Sequence, residues 1–351
     1  MHPLVQRLRN LRDEWHKLYR YHGGAWTELR CLLGTLAVRQ GWVRSDPLSA
    51  EVEALTFSVV PKMTAVWARF MLNVAARTPL HIVIGDSAGT LSRVLPVHSS
   101  LRILPVFNDP HGVKLDLFVH HVCRAKYLIV TDDDIFWLGD TGLRWALAQF
   151  EQNPKLAIVS LLPFPLTPEM AARKQPPPMG SCFIIRRDLW VREKVSFEVD
   201  RAPLARGENW IYDTGAKAQI QLMERGYEVR YLPEDMRGEF VALEGMSTWT
   251  LKNQKHRGDL QKSIEKHVGL QDKIQQKALR MAVAARRLAG LFGRLYPGHA
   301  SNDLIDPAVI ERSVTHIRAE LTHEQAAEAE QEINHLMDRL DSALSGSGRD
   351  A

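Results

Sequence analysis

Cysteine is scarce: Cys31, Cys123 and Cys182 stand far apart in a chain of 351 residues. An odd number with no paired ligand spacing excludes a disulfide framework and a cysteine zinc site, and fits a reducing cytoplasm. Long apolar runs are missing as well. Nothing approaches the roughly 18 residues of a membrane span, and the N-terminal stretch from Met1 to Arg12 lacks the continuous apolar core of a secretion signal. Any membrane contact is therefore expected to be peripheral, at the inner face. Neither sign of charge is in large excess, and a formal net charge of +4 gives no reason to expect a nucleic-acid partner. No internal repeat is visible.

What is present is ordinary globular usage, 45% hydrophobic and 25% charged, with enough chain for one large α/β domain and appendages. Residues 1–54 are expected to form a helical, basic extension, with Leu4, Leu8, Leu11 and Trp15 at helical spacing. From residue 55 to 250, short β-rich runs alternate with helical ones. Strands are expected at Thr56–Val60, Leu80–Ile84, Leu101–Val106, Tyr127–Val130, Ala157–Leu162, Ser181–Ile185 and Tyr227–Leu232. Helices are expected at Thr64–Ala76, Val113–Cys123, Trp145–Phe150 and Asn209–Arg225. This alternation predicts a mainly parallel sheet flanked by helices.

Residues 251–344 have a different, helical character, and 345–351 form a Ser/Gly tail expected to fray. From Ile274 through Ala278, Met281, Ala285, Leu288 and Phe292 to Leu295 an apolar stripe recurs beside Lys273, Lys277, Arg280, Arg286, Arg287 and Arg294. Such a basic amphipathic helix either lies on an anionic membrane through 271–295 or packs against protein. Thr322-His-Glu-Gln325 has the form of a capping box. The terminal helices also offer a surface for oligomerisation.

The stretch with most chemical content is Tyr127-Leu-Ile-Val-Thr-Asp132-Asp133-Asp134-Ile-Phe-Trp137. Three carboxylates at a strand's C-terminal end call for a cation, and residues two apart in an extended strand face the same way, so Asp132 and Asp134 are expected to converge on one ion. Mg²⁺ or Mn²⁺ holding a diphosphate fits oxygen ligands of this kind. Aspartates also cap helices and make turns. An aspartyl-phosphate phosphatase box would need Thr where Phe136 stands.

Three further patches complete a pattern. His81-Ile-Val-Ile-Gly-Asp86-Ser-Ala-Gly-Thr90 is a strand running into an Asp-plus-small-residue turn, and Asn108-Asp-Pro-His-Gly112-Val-Lys114 is a loop opening a helix. A third, Gly207-Glu208-Asn-Trp-Ile-Tyr-Asp213-Thr-Gly-Ala, opens the helix that ends at Gly226.

Over residues 55–250 these patches resemble the inverting nucleotide-sugar glycosyltransferases of the GT-A fold with an Asp-x-Asp signature. The resemblance implies a GT-A domain, a nucleoside-diphosphate-sugar donor, Mn²⁺ or Mg²⁺, and a glycan, lipid-linked or small-molecule acceptor. It implies donor contacts at Pro61, Asp86, Lys114, Asp132 and Asp133, metal ligation by Asp132 and Asp134 or by Asp133 and Asp134, and a catalytic base at Asp213, with Glu208 in reserve. The unbroken triplet departs from the usual signature, and no His stands in Ala242–Trp249 to add a ligand. The loops Pro176–Gly180 and Met246–Trp249 are expected to wall the acceptor site. Two rival classes are a nucleotidyltransferase, for which Pro61-Lys-Met-Thr64 lacks the customary glycine, and a non-catalytic interaction protein working through its terminal helices.

Overall fold

A computed structural model describes residues 25–43, 51–166, 168–207, 211–243, 245–246, 271–299 and 307–346. The expected helix at Leu4–Trp15, Glu208, most of the 246–249 wall and the residues after 346 lie outside the described residues.

The strands are β1 (Val52–Ser58), β2 (Leu80–Asp86), β3 (Leu101–Pro105), β4 (Tyr127–Thr131), β5 (Ile135–Trp137), β6 (Leu156–Ser160), β7 (Cys182–Arg186), β8 (Glu228–Tyr231) and β9 (Phe240–Ala242). Seven of them form one sheet in the order β3-β2-β1-β4-β7-β6-β8, while β5 and β9 pair separately. The large sheet is parallel except for β7, which runs antiparallel to both β4 and β6. The expectation of a mainly parallel sheet flanked by helices therefore holds, with one reversed strand inside it.

Helices cover both faces, so β1 and β4 are buried at every position; β4 reads as an apolar run without alternation, and β1 buries Glu53, Thr56 and Ser58 among its apolar residues. The alternation reappears in the packing. Tyr127 and Ile129 of β4 face one core, and Leu128 and Val130 face the other.

The main helices are α1 (Ala25–Arg39), α2 (Pro61–Ala75), α3 (His111–His121), α4 (Thr141–Gln152), α5 (Ala216–Glu224), α6 (Gln271–Leu295), α7 (Pro307–Glu320) and α8 (His323–Gly346). Pro61 begins α2, where its missing N–H costs nothing and its fixed φ suits the first turn. The Thr322 capping box forms as expected: the Gln325 N–H donates to Thr322 Oγ1 at 3.2 Å and the Thr322 N–H to Gln325 Oε1 at 3.0 Å.

The expected membrane face of 271–295 is occupied by protein. Ala278, Ala285, Leu288 and Phe292 are buried in the same core as α2 and the sheet. Tyr296 donates its hydroxyl to the Ala65 carbonyl at 2.9 Å, and Lys62 Nζ lies 5.2 Å from the Phe292 ring centre. The cations of α6 meet the acids of α8: Arg280 pairs with Glu332, Arg287 with Asp338 and Asp341, and Arg294 with Asp341. A stripe at helical spacing has the same sequence signature whether it meets lipid or protein, and here α2, α7 and α8 take it. Among the described residues no helix is long and apolar enough to cross a membrane.

Candidate active site

Strand β4 ends at Thr131, and the triplet that follows is a turn closed by the Ile135 N–H donating to the Asp132 carbonyl at 3.2 Å. The strand rule that residues two apart share a face lapses there, so the three carboxylates diverge. Asp133 is buried and accepts the Thr64 hydroxyl at 2.6 Å, which ties the turn to the first turn of α2. Asp134 is buried too, and its Oδ2 accepts the N–H groups of Gly245 and Met246, each at 2.9 Å. Its carbonyl accepts the Leu243 N–H at 2.9 Å. Asp134 thus fastens the segment after β9 across the end of the sheet. The expected convergence of Asp132 and Asp134 on one ion is not the arrangement seen, because the backbone turns between them.

Of the three, Asp132 alone lines a cavity of about 930 Å³ at the C-terminal end of β4. It sits deep in the concavity, yet 43% of its side chain is reached by solvent. Burial of the surrounding floor, followed by the charges of Asp134, Asp133 and, further off, Asp213, pushes its carboxyl well above the usual carboxylate range.

His111, at the start of α3, faces it across 3.9 Å from Nε2 to Oδ1. Loss of solvation and the charge of Lys114 push this imidazole down to about 4, so it is neutral at pH 7. No role is expected of His111 from the sequence. Its signal was present, a histidine at a helix start in a loop that follows a parallel strand.

Asp213 lines the same cavity, in the turn before α5. The helix expected from Asn209 begins only at Ala216, because Gly215 adopts φ 74°, a left-handed conformation that starts a helix after a turn and not within one. No side chain caps α5. Asp213 is exposed, its Oδ1 accepts the Thr214 N–H at 2.7 Å, and its carbonyl accepts the Ala216 N–H at 2.9 Å.

The wall between β6 and β7 is built from Phe164, Pro176, Pro178, Met179 and Gly180, as expected for 176–180, and Gly245 adds to the rim. This wall is pinned. Ser160 donates to the Met179 carbonyl at 2.6 Å, and the buried Gln219 of α5 donates to the Pro177 carbonyl at 2.9 Å. Gly180 has φ 76°, and a Cβ there would collide with the Leu162 carbonyl.

The other expected donor residues, Pro61, Asp86, Lys114 and Asp133, do not line the cavity. Lys114 is buried, with Nζ 2.8 Å from Asn108 Oδ1 and 4.8 Å from the Phe57 ring centre. Asp86 ends β2 as expected, but its carboxylate turns into its own loop. Oδ1 accepts the N–H groups of Ala88 and Gly89 at 3.1 and 2.9 Å, and Oδ2 accepts that of Leu91 at 2.8 Å. Only 2% of the residue is exposed, and burial outweighs these donors to hold its carboxyl at about 6. The direct contact to a nucleotide base expected of Asp86 is not what these bonds make; they shape the 86–91 loop.

Among the described residues no three His, Cys, Asp or Glu side chains are grouped to hold a metal ion. A cation that keeps several waters and takes one carboxylate plus ligand phosphates needs no such cage, and Asp132 with His111 beside it suits that kind of ion.

No protein-family model matches the sequence, and no curated protein does. Among solved structures, an active-site mutant of the glycosyltransferase LgtC is similar at a TM-score of 0.35 and 10% identity, over 51% of this chain and 72% of that one. A Drosophila β-1,4-galactosyltransferase 7 mutant with manganese, UDP-Gal and xylobiose is similar at 0.31 and 12%, over 52% and 65%. The synthetase of CMP-2-keto-3-deoxy-manno-octonic acid with CTP is similar at 0.33 and 14%, over 51% of this chain and 88% of that one.

Proposed function

We propose that this chain is a glycosyltransferase that moves a sugar from a nucleoside-diphosphate donor to an acceptor hydroxyl, with inversion and with help from a divalent cation. The observation that carries the proposal is the meeting of Asp132 and Asp213 on one cavity at the C-terminal end of the parallel strands, delivered by two different elements. Ligands bind at that end of an open α/β sheet.

Breaking a sugar–phosphate bond puts negative charge on the departing diphosphate and positive charge on the sugar. Mn²⁺ or Mg²⁺, when bound, would neutralise the diphosphate as a Lewis acid. Asp132 would hold it, a reading supported by its being the one member of the triplet that lines the cavity. Asp134, the other expected ligand, and Asp133 keep the turn in place from behind. Neutral His111 adds a donor nitrogen or a positioning contact beside Asp132. Lys114, held by Asn108, adds positive charge at the adjoining strand ends, with Pro61 starting α2 nearby in the fold.

Asp213 takes the proton of the acceptor hydroxyl as attack develops. Its Oδ1 is occupied by the Thr214 N–H, which leaves Oδ2 for the acceptor, and Glu208 remains the second candidate for this role. The acceptor lies along the wall of Phe164, Pro176 and Met179, so its class is a glycan, a lipid-linked sugar or a small molecule with an apolar face.

Melting temperature measured against a panel of nucleoside diphosphates, each with and without Mn²⁺, tests the donor site. At least one should raise it only when the metal is present. No rise with any of them would argue against a nucleotide-sugar donor and for an interaction protein.

A further inference from the structure

Helix α1 is apolar on two opposite sides, and among the described residues only one is covered by protein. At about 100° per residue, Cys31, Thr35 and Val38 fall on one side, and Trp26, Leu29, Leu33 and Leu36 on the other. The first set is buried. It meets the ends of β2 and β3: Thr35 Oγ1 accepts the Phe107 N–H at 2.7 Å, and a Cβ on Gly34 would collide with the Pro105 carbonyl. The second set faces outward. Trp26 is 81% exposed and Leu33 55%, with Leu29, Leu32 and Leu36 also exposed, and Trp42, just past the helix, is 78% exposed.

A helix on the surface of a globular protein carries polar residues on its solvent face. Here that face is tryptophan and leucine, with no acidic residue among its outward positions.

We propose that the outward face of α1 binds an anionic lipid surface, lying in the plane of the headgroups. Two features select this occupant. Trp26 stands on the exposed face and a second exposed tryptophan, Trp42, follows the helix, and indole rings favour the boundary between acyl chains and water. Exposed arginines flank it as well. Arg30 donates to the Gly89 carbonyl and to Ser92 Oγ, Arg93 is exposed across the groove from Leu29 and Leu33, and Arg39 reaches Asp109 only at 3.7 Å. Apolar burial combined with cations at the rim is the chemistry of in-plane attachment to anionic lipid. The proposal stands independently of the glycosyl-transfer reading.

The test is co-sedimentation of the full chain with vesicles of phosphatidylcholine alone or mixed with phosphatidylglycerol, at low and high salt. Binding should require phosphatidylglycerol and weaken as salt shortens the Debye length. The double variant Trp26→Ser, Leu33→Ser should lower binding at least about tenfold, because two side chains no longer enter the lipid, while the melting temperature stays unchanged. Trp42→Ser, outside the helix, gives a second reading free of any effect on helix packing and should also weaken binding. Failure to sediment with phosphatidylglycerol vesicles at low salt would overturn the proposal, as would binding left intact in both variants. A concentration-dependent dimer in sedimentation velocity, abolished by the same substitutions, would also overturn it and assign the face to a second copy of the chain.

Discussion

Asp213 and Asp86 show how alike two aspartates look in sequence and how differently they are used. Both follow apolar residues and precede small ones. Asp86 is enclosed and spends both oxygens on three backbone N–H groups, whereas Asp213 is exposed and spends one on a single N–H. Asp86→Ala should therefore act on stability: it strands three buried donors, each costing about 1–3 kcal/mol, which urea denaturation would register. The pH dependence has a definite sign. The folded-state value of about 6 lies above the ordinary 3.8, so the native state binds this proton more tightly than the unfolded chain does. That contribution favours folding below about 3.8 and is lost as pH rises through about 6. Relative to Asp86→Asn, the native chain should gain stability between pH 7 and pH 4, and a parallel pair of stability–pH curves would contradict the assignment. Asp213→Asn should do the reverse of Asp86→Ala, leaving the melting temperature alone and lowering turnover by about two to four decades. If Asp213→Asn stays active and Glu208→Gln does not, the base is Glu208.

Elements were legible in proportion to how fully they are buried. The central strand β4 has helices on both sides and its sequence is a continuous apolar run, found where expected, whereas β1, with Glu53, Thr56 and Ser58 buried in it, spans Val52–Ser58 and not the expected Thr56–Val60. Local turns were harder. The start of α5 was placed seven residues early because Gly215 turns the chain left-handed there, and the divergence of Asp132, Asp133 and Asp134 depends on a turn that a period-two pattern does not reveal. The Asp triplet was legible as a site; which member serves it was not. Periodicity in α6 gave a stripe without its partner, since lipid and protein select the same residues. The structure assigns the stripe to the core, so Phe292→Ala should destabilise by about 3–5 kcal/mol, the cost of truncating a fully buried aromatic, and lower the melting temperature accordingly. A change of under 0.5 kcal/mol would mean that α6 does not pack as described.

At the scale of the whole molecule, one end of the sheet gathers the chemistry. The triplet, His111, Lys114 and the 86–91 loop all lie at the C-terminal ends of parallel strands, while α6 packs on α2 with α7 and α8 around it, extending the core on that side. Helix α1 packs against the loops at the same end, next to Asp86 and Phe107. If its outward face rests on lipid, the cavity is held near the membrane surface, which would favour an acceptor presented from that surface. The central claim is chemical and is tested most directly by product. The chain is incubated with a panel of sugar nucleotides and a divalent cation, and the release of nucleoside diphosphate is followed alongside that of Asp132→Asn. The account predicts cation-dependent release from at least one donor, lost in the variant. No release from any donor, together with pyrophosphate release from a nucleoside triphosphate and a sugar phosphate, would contradict it and establish nucleotidyl transfer instead.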